Sequence, residues 1–450
     1  MTTYSYPRVL FLAPSAYPLG GVAVWLDYLV QGLRDLGFSI EVGLVSGRFH
    51  DVARYLRSYP ALDGFPVANA TGSAQGRRNA LATELRRRRP DIVCGVNVGD
   101  LYGAVRQLRQ VSSFEGRAVM TLHAIESDLF AEVRANADVL DSVIATNRLS
   151  CQLIPALSGY ESTRVLYAPY GVELDSDSGQ RQATVHPGAL TVAWVGRLEE
   201  SQKRISVLPR IAEALRRLGV AFELVVAGDG PDRESFLAAM EHACPRGSFR
   251  YLGALSATEL SDRVYAKSDV LLLTSSWETG PIVAWEAASH GLAIVTSDYV
   301  GRRLEGALVD EETALVFDGT DADAGARQLS RLRDDGLRCR IGRAAMQMVM
   351  LRYSRATSVI AWAEALCSVE ALPRLGSPGE SAPIARSGRL DRWLGPVRAE
   401  TVRRLVGRKF THREPGGEWP HAVSGVQEAL DVLAIGRQIE RDSSSRGRHT

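Results

Sequence analysis

Two hydrophobic periods alternate along this chain. Arg8–Ala13 (RVLFLA) is an unbroken apolar run of strand length. Val22–Leu36 follows with apolar residues at helical spacing, and Gly37 stops it. Ile40–Val45, Asp91–Val96, Ala118–His123 and Ser142–Ala145 predict further strands, with helical stretches such as Gly76–Arg89 between them. Strands alternating with helices build a parallel sheet covered on both faces. The pattern breaks at Asp175–Pro187 (DSDSGQRQATVHP), a polar stretch read as an inter-domain linker. It then restarts. Leu190–Gly196, Phe222–Ala227, Val270–Thr274 and Ala293–Thr296 predict strands; Ile205–Leu218, Asp232–Ala243, Ile282–His290, Asp321–Arg333 and Ser354–Val369 predict helices. The fold class is α/β: two doubly wound domains facing across a cleft, plus a C-terminal extension. The expected boundaries are 1–174 and 189–353 for the domains and 175–188 for the linker. A closing helix at 354–372 is expected to cross back to the first domain, and 373–450 is the extension.

Composition changes this picture only at the end of the chain. The 450 residues carry 53 Lys+Arg against 52 Asp+Glu, a net charge of +1, so no overall basic field argues for nucleic acid. The extension after Leu372 differs: it holds 14 Arg/Lys against 9 Asp/Glu, and opens on the Pro/Gly/Ser-rich Pro373–Pro383. Within it, Asp391–Val406 predicts an amphipathic helix with Trp393, Leu394, Val397, Val402 and Leu405 on its apolar side. Val426–Ile439 predicts another, and the terminal DSSSRGRHT reads as disordered. Five scattered cysteines with no CxxC pair give neither a zinc site nor a disulfide framework. The N-terminus has no charged region before its short apolar run, and no apolar run reaches membrane-spanning length. Neither a signal peptide nor a membrane span is expected, and a reducing cytoplasmic setting fits.

Ligands of open α/β sheets bind at the carboxyl ends of the strands, and the chemistry-bearing residues fall just after strands. Gly20-Gly21 follows the first strand and opens a helix, where backbone N–H groups can meet an anion or simply make a tight turn. His123 ends the fourth predicted strand. Arg197 and Lys203 follow the first strand of the second domain (VGRLEESQKR). Lys203 is one of only three lysines in an Arg-rich chain. Two cations there suit a diphosphate, or belong to a solvated helix start. Gly228 lies in the next strand-to-helix turn (AGDGP), and Leu252 in YLGAL, a candidate floor for a nucleobase. The strongest element is SSWETGPIVAWEAASHG, Ser275–Gly291. Glu278 precedes Gly280-Pro281-Ile282 at a helix start, and Glu286 sits inside that apolar helix. A carboxylate buried there needs a hydroxyl or amide donor, which ribose hydroxyls would supply. The alternative is a capping Glu278 and an ion-paired Glu286. Asp175-Ser176-Asp177 is a literal DxD, but no strand precedes it, and it reads as linker polarity. Asp321-Ala322-Asp323 reads as a helix start.

The set Gly20-Gly21, His123, Tyr167–Val172 (YAPYGV), VGRL with Lys203, AGDGP and the E-x7-E pair Glu278/Glu286, in this order over residues 8–370, resembles the retaining glycosyltransferases of GT-B fold, glycosyltransferase family 4. The resemblance implies transfer of a hexosyl group from a UDP- or GDP-sugar, without metal, to a carbohydrate or lipid-linked acceptor, in cell-surface polysaccharide or glycoconjugate synthesis. By the same resemblance Arg197 and Lys203 bind the diphosphate, and Glu286 holds the ribose. Glu278 contacts the donor sugar together with the backbone at Gly280, Pro281 and Ile282. Gly20, Gly21 and His123 act from the acceptor side. The chain departs from the family pattern in a longer Arg197–Lys203 gap, in Pro281, which has no N–H, and in Ala124 after His123. Two other readings stand beside this one. One is an inverting transferase or epimerase with His123 as its base; the other is a non-catalytic subunit that binds sugar nucleotides. The basic Asp391–Val406 stretch would either lie on an anionic membrane surface, making the protein peripheral on the inner face, or pack on the body.

Overall fold

In a computed structural model, residues 6–15, 21–45, 51–174, 188–379, 388–407 and 426–446 are described. The chain divides into two compact units: Met1–Pro169 with Val359–Val432, and Tyr170–Ser358 with Leu433–Thr450. The predicted linker and the Asp175-Ser176-Asp177 motif lie outside the described residues.

The first unit is built on seven strands: β1 (Arg8–Pro14), β2 (Ser39–Val45), β3 (Phe65–Val67), β4 (Ile92–Val96), β5 (Arg117–Leu122), β6 (Ser142–Ala145) and β7 (Val165–Tyr167). All pair in parallel, in the order β3-β2-β1-β4-β5-β6-β7. In β1 the residues Val9–Ala13 are all buried, as expected of a strand covered on both faces. The second unit holds β8 (Leu190–Val195), β9 (Phe222–Ala227), β10 (Phe249–Tyr251), β11 (Val270–Leu273), β12 (Ala293–Ser297) and β13 (Leu315–Phe317). They are again parallel, in the order β10-β9-β8-β11-β12-β13. Side-chain alternation along β8 feeds two cores, one per face. Leu190, Val192 and Trp194 join one, and Ala193 and Val195 the other.

Each sheet reverses strand order once, beside β1/β4 and beside β8/β11. Loops leaving the carboxyl ends of two such strands diverge to opposite faces and open a crevice between them. This places the loop after β8 and the loop after β11 at the switch point of the second sheet.

The sequence pattern misses β3, β7 and β13, each three residues long and each at a sheet edge. Three residues are too few to show a period. Asp321 caps the helix Ala322–Arg331 through Ala324 N at 2.9 Å, the predicted helix start. The extension departs from expectation twice. The helix Val426–Arg446 continues through most of the segment read as disordered. The expected single helix is broken at Gly395 (φ 74°) within Arg389–Val406; of its two expected placements, the outward apolar face suits the first, with Trp393 89%, Val397 66% and Leu405 82% exposed.

Candidate active site

In the second unit, backbone geometry brings three loops together. After β8, Gly196 N donates to Ala227 O (3.1 Å) and Leu198 N to Asp229 O (3.0 Å), so the turn after β9 runs against the turn after β8. Gly228 sits at φ 138°, and a Cβ there would fall 1.8 Å from Gly196 O, so only glycine fits. Its N–H donates to Gly253 O at 2.8 Å, and its carbonyl accepts from the Tyr251 hydroxyl at 2.9 Å.

The loop after β11 is stitched to the short helix Glu200–Lys203. Thr274 Oγ1 donates to Lys203 O (2.6 Å), Ser276 N to Gln202 O (2.7 Å) and the Arg204 guanidinium to Ser275 O (2.6 Å). These bonds set Lys203 beside Glu278. The Lys203 Nζ to Glu278 Oε1 distance is 2.6 Å, and Ser275 Oγ donates to the same oxygen at 2.5 Å. The lysine side chain is 16% and the glutamate 6% exposed, so little water screens the pair. Gly280 (φ 100°) then turns the chain so that Pro281 caps the helix Ile282–Ser289. An ammonium has three donors, and the carboxylate uses only one here. At the switch point the pair can therefore offer a cation to phosphate oxygens and an acceptor to sugar hydroxyls.

Other predicted residues stand differently. Arg197 is not a fixed partner of Lys203: its side chain is 68% exposed and pairs with Glu199 at 3.1 Å. Its position in the loop leaves it open to water, which the motif alone does not reveal. Glu286 does find the hydroxyl that its burial requires, but within the chain: Tyr265 OH donates to Oε2 at 2.8 Å. Burial pushes the Glu286 pKa up, while the Tyr265 bond and the Arg355 charge pull it back. Leu252 is half-buried against the core, and its N–H is committed to Val226 O at 2.9 Å. Pro281 is buried and Ile282 half-buried.

In the first unit, Gly20 lies outside the described residues, and Gly21 opens the helix Gly21–Asp35. His123 follows β5 and is buried. Its Nε2 lies 2.8 Å from Thr121 Oγ1, and its ring meets Trp25 edge-on at 4.6 Å. Burial pushes its pKa down to about 3, so the imidazole is neutral near pH 7.

Sequence reasoning missed Ser275 and Tyr265, the two hydroxyls that hold the glutamates. Ser275 stands three residues before Glu278, a spacing that invited the pairing. Tyr265 lies 21 residues before Glu286, in a short turn with no pattern of its own.

Residues 178–348 match the family described as "Glycosyl transferases group 1". The chain is 30% identical over 210 residues to glycogen synthase of Mycobacterium tuberculosis, covering 46% of this chain and 48% of that protein. It is 34% identical over 166 residues to D-inositol 3-phosphate glycosyltransferase of Salinispora arenicola, covering 34% of this chain and 36% of that one. The chain thus spans about half or less of the length of these curated relatives. Among solved structures it is similar to Anabaena HepE in complex with UDP and glucose, with a TM-score of 0.65 and 16% identity over 81% of this chain and 100% of that one. Two parallel sheets of seven and six strands, together with this likeness, give the chain the GT-B fold, and residues 178–348 within it match the group 1 glycosyl transferase model.

Proposed function

We propose that this protein is a retaining glycosyltransferase of family 4. It moves a hexosyl group from a UDP- or GDP-sugar to a carbohydrate or lipid-linked acceptor, in cell-surface polysaccharide or glycoconjugate synthesis on the cytoplasmic side. The observation that carries this reading is the Lys203–Glu278 pair at the carboxyl edge of the second sheet, beside the β8/β11 switch point and the glycine-lined turn at Gly228. The group 1 match covers these residues, and the fold neighbour HepE is described with UDP and glucose bound.

In this reading Lys203 holds the donor diphosphate, with Arg197 closing on it from the exposed side of the loop. Glu278 and the backbone at Gly280–Ile282 take the sugar hydroxyls, and Glu286 holds the ribose with its carboxylate already oriented by Tyr265. The sugar C1–O bond to the diphosphate breaks, and a new C1–O bond forms to the acceptor hydroxyl on the same face. The proton of that hydroxyl passes to the departing phosphate. Charge grows on the diphosphate as the bond breaks, so a cation fixed at that place favours the transition state over the bound donor. The first unit takes the acceptor near Gly20, Gly21 and His123, whose neutral imidazole orients a hydroxyl without carrying charge. No metal is assigned to the reaction.

Calorimetric titration with UDP, GDP, ADP and their sugar conjugates, with and without a chelator and with Lys203→Ala as control, tests the reading. Chelator-insensitive binding of one nucleotide that weakens in the variant supports it. Binding by none would refute the reading, and binding without turnover across acceptors would leave a non-catalytic subunit that binds sugar nucleotides.

A further inference from the structure

The extension helix Arg389–Val406 is held to the first unit in an unusual sense. Its buried residues are Asp391, Ala399, Glu400 and Arg403, three of them charged. Glu400 accepts from the Thr71 hydroxyl (2.8 and 2.9 Å to its two oxygens) and from Ser73 Oγ (2.5 Å). Arg403 pairs with Asp391 at 2.7 Å, both under a tenth exposed. Thr71 and Ser73 belong to the loop between β3 and the helix Ala74–Arg88, on the carboxyl edge of the first sheet, where open α/β sheets take their ligands.

Polar anchoring leaves the opposite face apolar and basic. Trp393, Leu394, Val397, Leu405 and Val406 are exposed, and Arg389, Arg392, Arg398 and Arg404 are exposed among them. The only acidic side chains of this helix are Asp391 and Glu400, and both are turned inward. The outward face therefore carries cations, apolar groups and the neutral Thr401, with Arg404 at its margin also reaching Glu400 at 3.3 Å. A soluble surface would alternate both charge signs and hide its tryptophan. The break at Gly395 lets Trp393 and the Val397–Val406 stretch each present its own apolar side.

We propose that this face docks on an anionic lipid bilayer, with Trp393, Val397 and Leu405 entering the headgroup boundary and the four arginines meeting lipid phosphates. Through Glu400 the docked helix fixes the Thr71–Ser73 loop at the bilayer surface, so the acceptor taken at that edge is a lipid-linked one. This second step rests on the transferase reading above; the docking itself does not.

The test uses the full chain and vesicles of phosphatidylcholine with and without phosphatidylglycerol, read by co-sedimentation. Binding to the anionic vesicles alone, falling as salt rises, is expected. A Trp393→Glu/Leu405→Glu variant should lose about tenfold or more of the partition at unchanged thermal midpoint, because both side chains already face water. Equal binding by the variant, or no preference for anionic vesicles, overturns the docking. A dimer in sedimentation that the same variant dissociates would assign the face to a second copy, and also overturns it. Nucleotide titration of the same preparation reads the transferase separately. Vesicle binding without nucleotide binding leaves the docking standing and removes the lipid-linked acceptor.

Discussion

Replacing Lys203 with alanine tests both the stability and the chemistry of the site. The ammonium lies 2.6 Å from a carboxylate that is 6% exposed, and the Ser275 hydroxyl shares that oxygen. Removing one partner of a fully buried pair costs about 3–5 kcal/mol, because the other charge stays in a poor medium. Lys203 is itself 16% exposed, so water can enter its place, which puts the cost at about 3 kcal/mol, near the lower limit of that range. For a unit of this size each kcal/mol lowers the midpoint by about 2–4 °C, so a fall of about 6–12 °C is expected. The Lys203→Ala/Glu278→Ala double variant removes the stranded charge as well. It should be more stable than the sum of the two single variants by about 2 kcal/mol. The assay is thermal and denaturant unfolding of all four proteins, followed by UDP and GDP titration of those still folded. A lost charge-assisted bond to diphosphate, about 1.5–3 kcal/mol, should weaken the nucleotide about 10- to 100-fold. A Lys203→Ala protein as stable as the parent, or strictly additive variants, would refute the buried pair; unchanged nucleotide affinity would refute its role.

Three more outcomes are expected. Glu278→Gln keeps the shape but releases Lys203, so nucleoside-diphosphate affinity should hold or tighten while kcat falls by about 100-fold or more, as for other donors and acceptors aimed at a transition state; equal losses in both would remove Glu278 from the sugar. Tyr265→Phe should cost about 1–3 kcal/mol, since it strips a donor from a buried carboxylate. Burial already raises the Glu286 pKa, so this group favours the fold while protonated and loses that contribution as pH rises. The Tyr265→Phe penalty should therefore be larger at neutral than at acid pH, and denaturant midpoints across that range check it. His123 runs the other way: with its pKa pushed down to about 3, stability is full above the ordinary histidine value and declines as pH falls below it. A His123→Gln protein should show a flatter stability profile below about pH 6.5, the unperturbed histidine value.

The chain's own pattern determined the α/β alternation, because strands buried on both faces read as continuous apolar runs and their helices keep a 3.6 period. It also placed Glu278, Lys203 and Gly228 just after strands, since turn residues mark those ends. It could not determine the partners. Lys203 meets Glu278 because β8 and β11 are neighbours in the sheet, although 75 residues separate the two side chains in sequence. Glu286 meets Tyr265 through the packing of a short turn on a helix, and Arg197 is left in water by a loop path that no local signal encodes. The extension shows the limit most plainly. Helical spacing grouped Trp393, Val397 and Leu405 as apolar, and all three are exposed, but it did not show the break at Gly395, and amphipathicity says only that one face differs from the other. Which face turns inward was decided by Thr71 and Ser73, more than 300 residues away, whose hydroxyls satisfy Glu400 and leave the apolar side to whatever the protein meets.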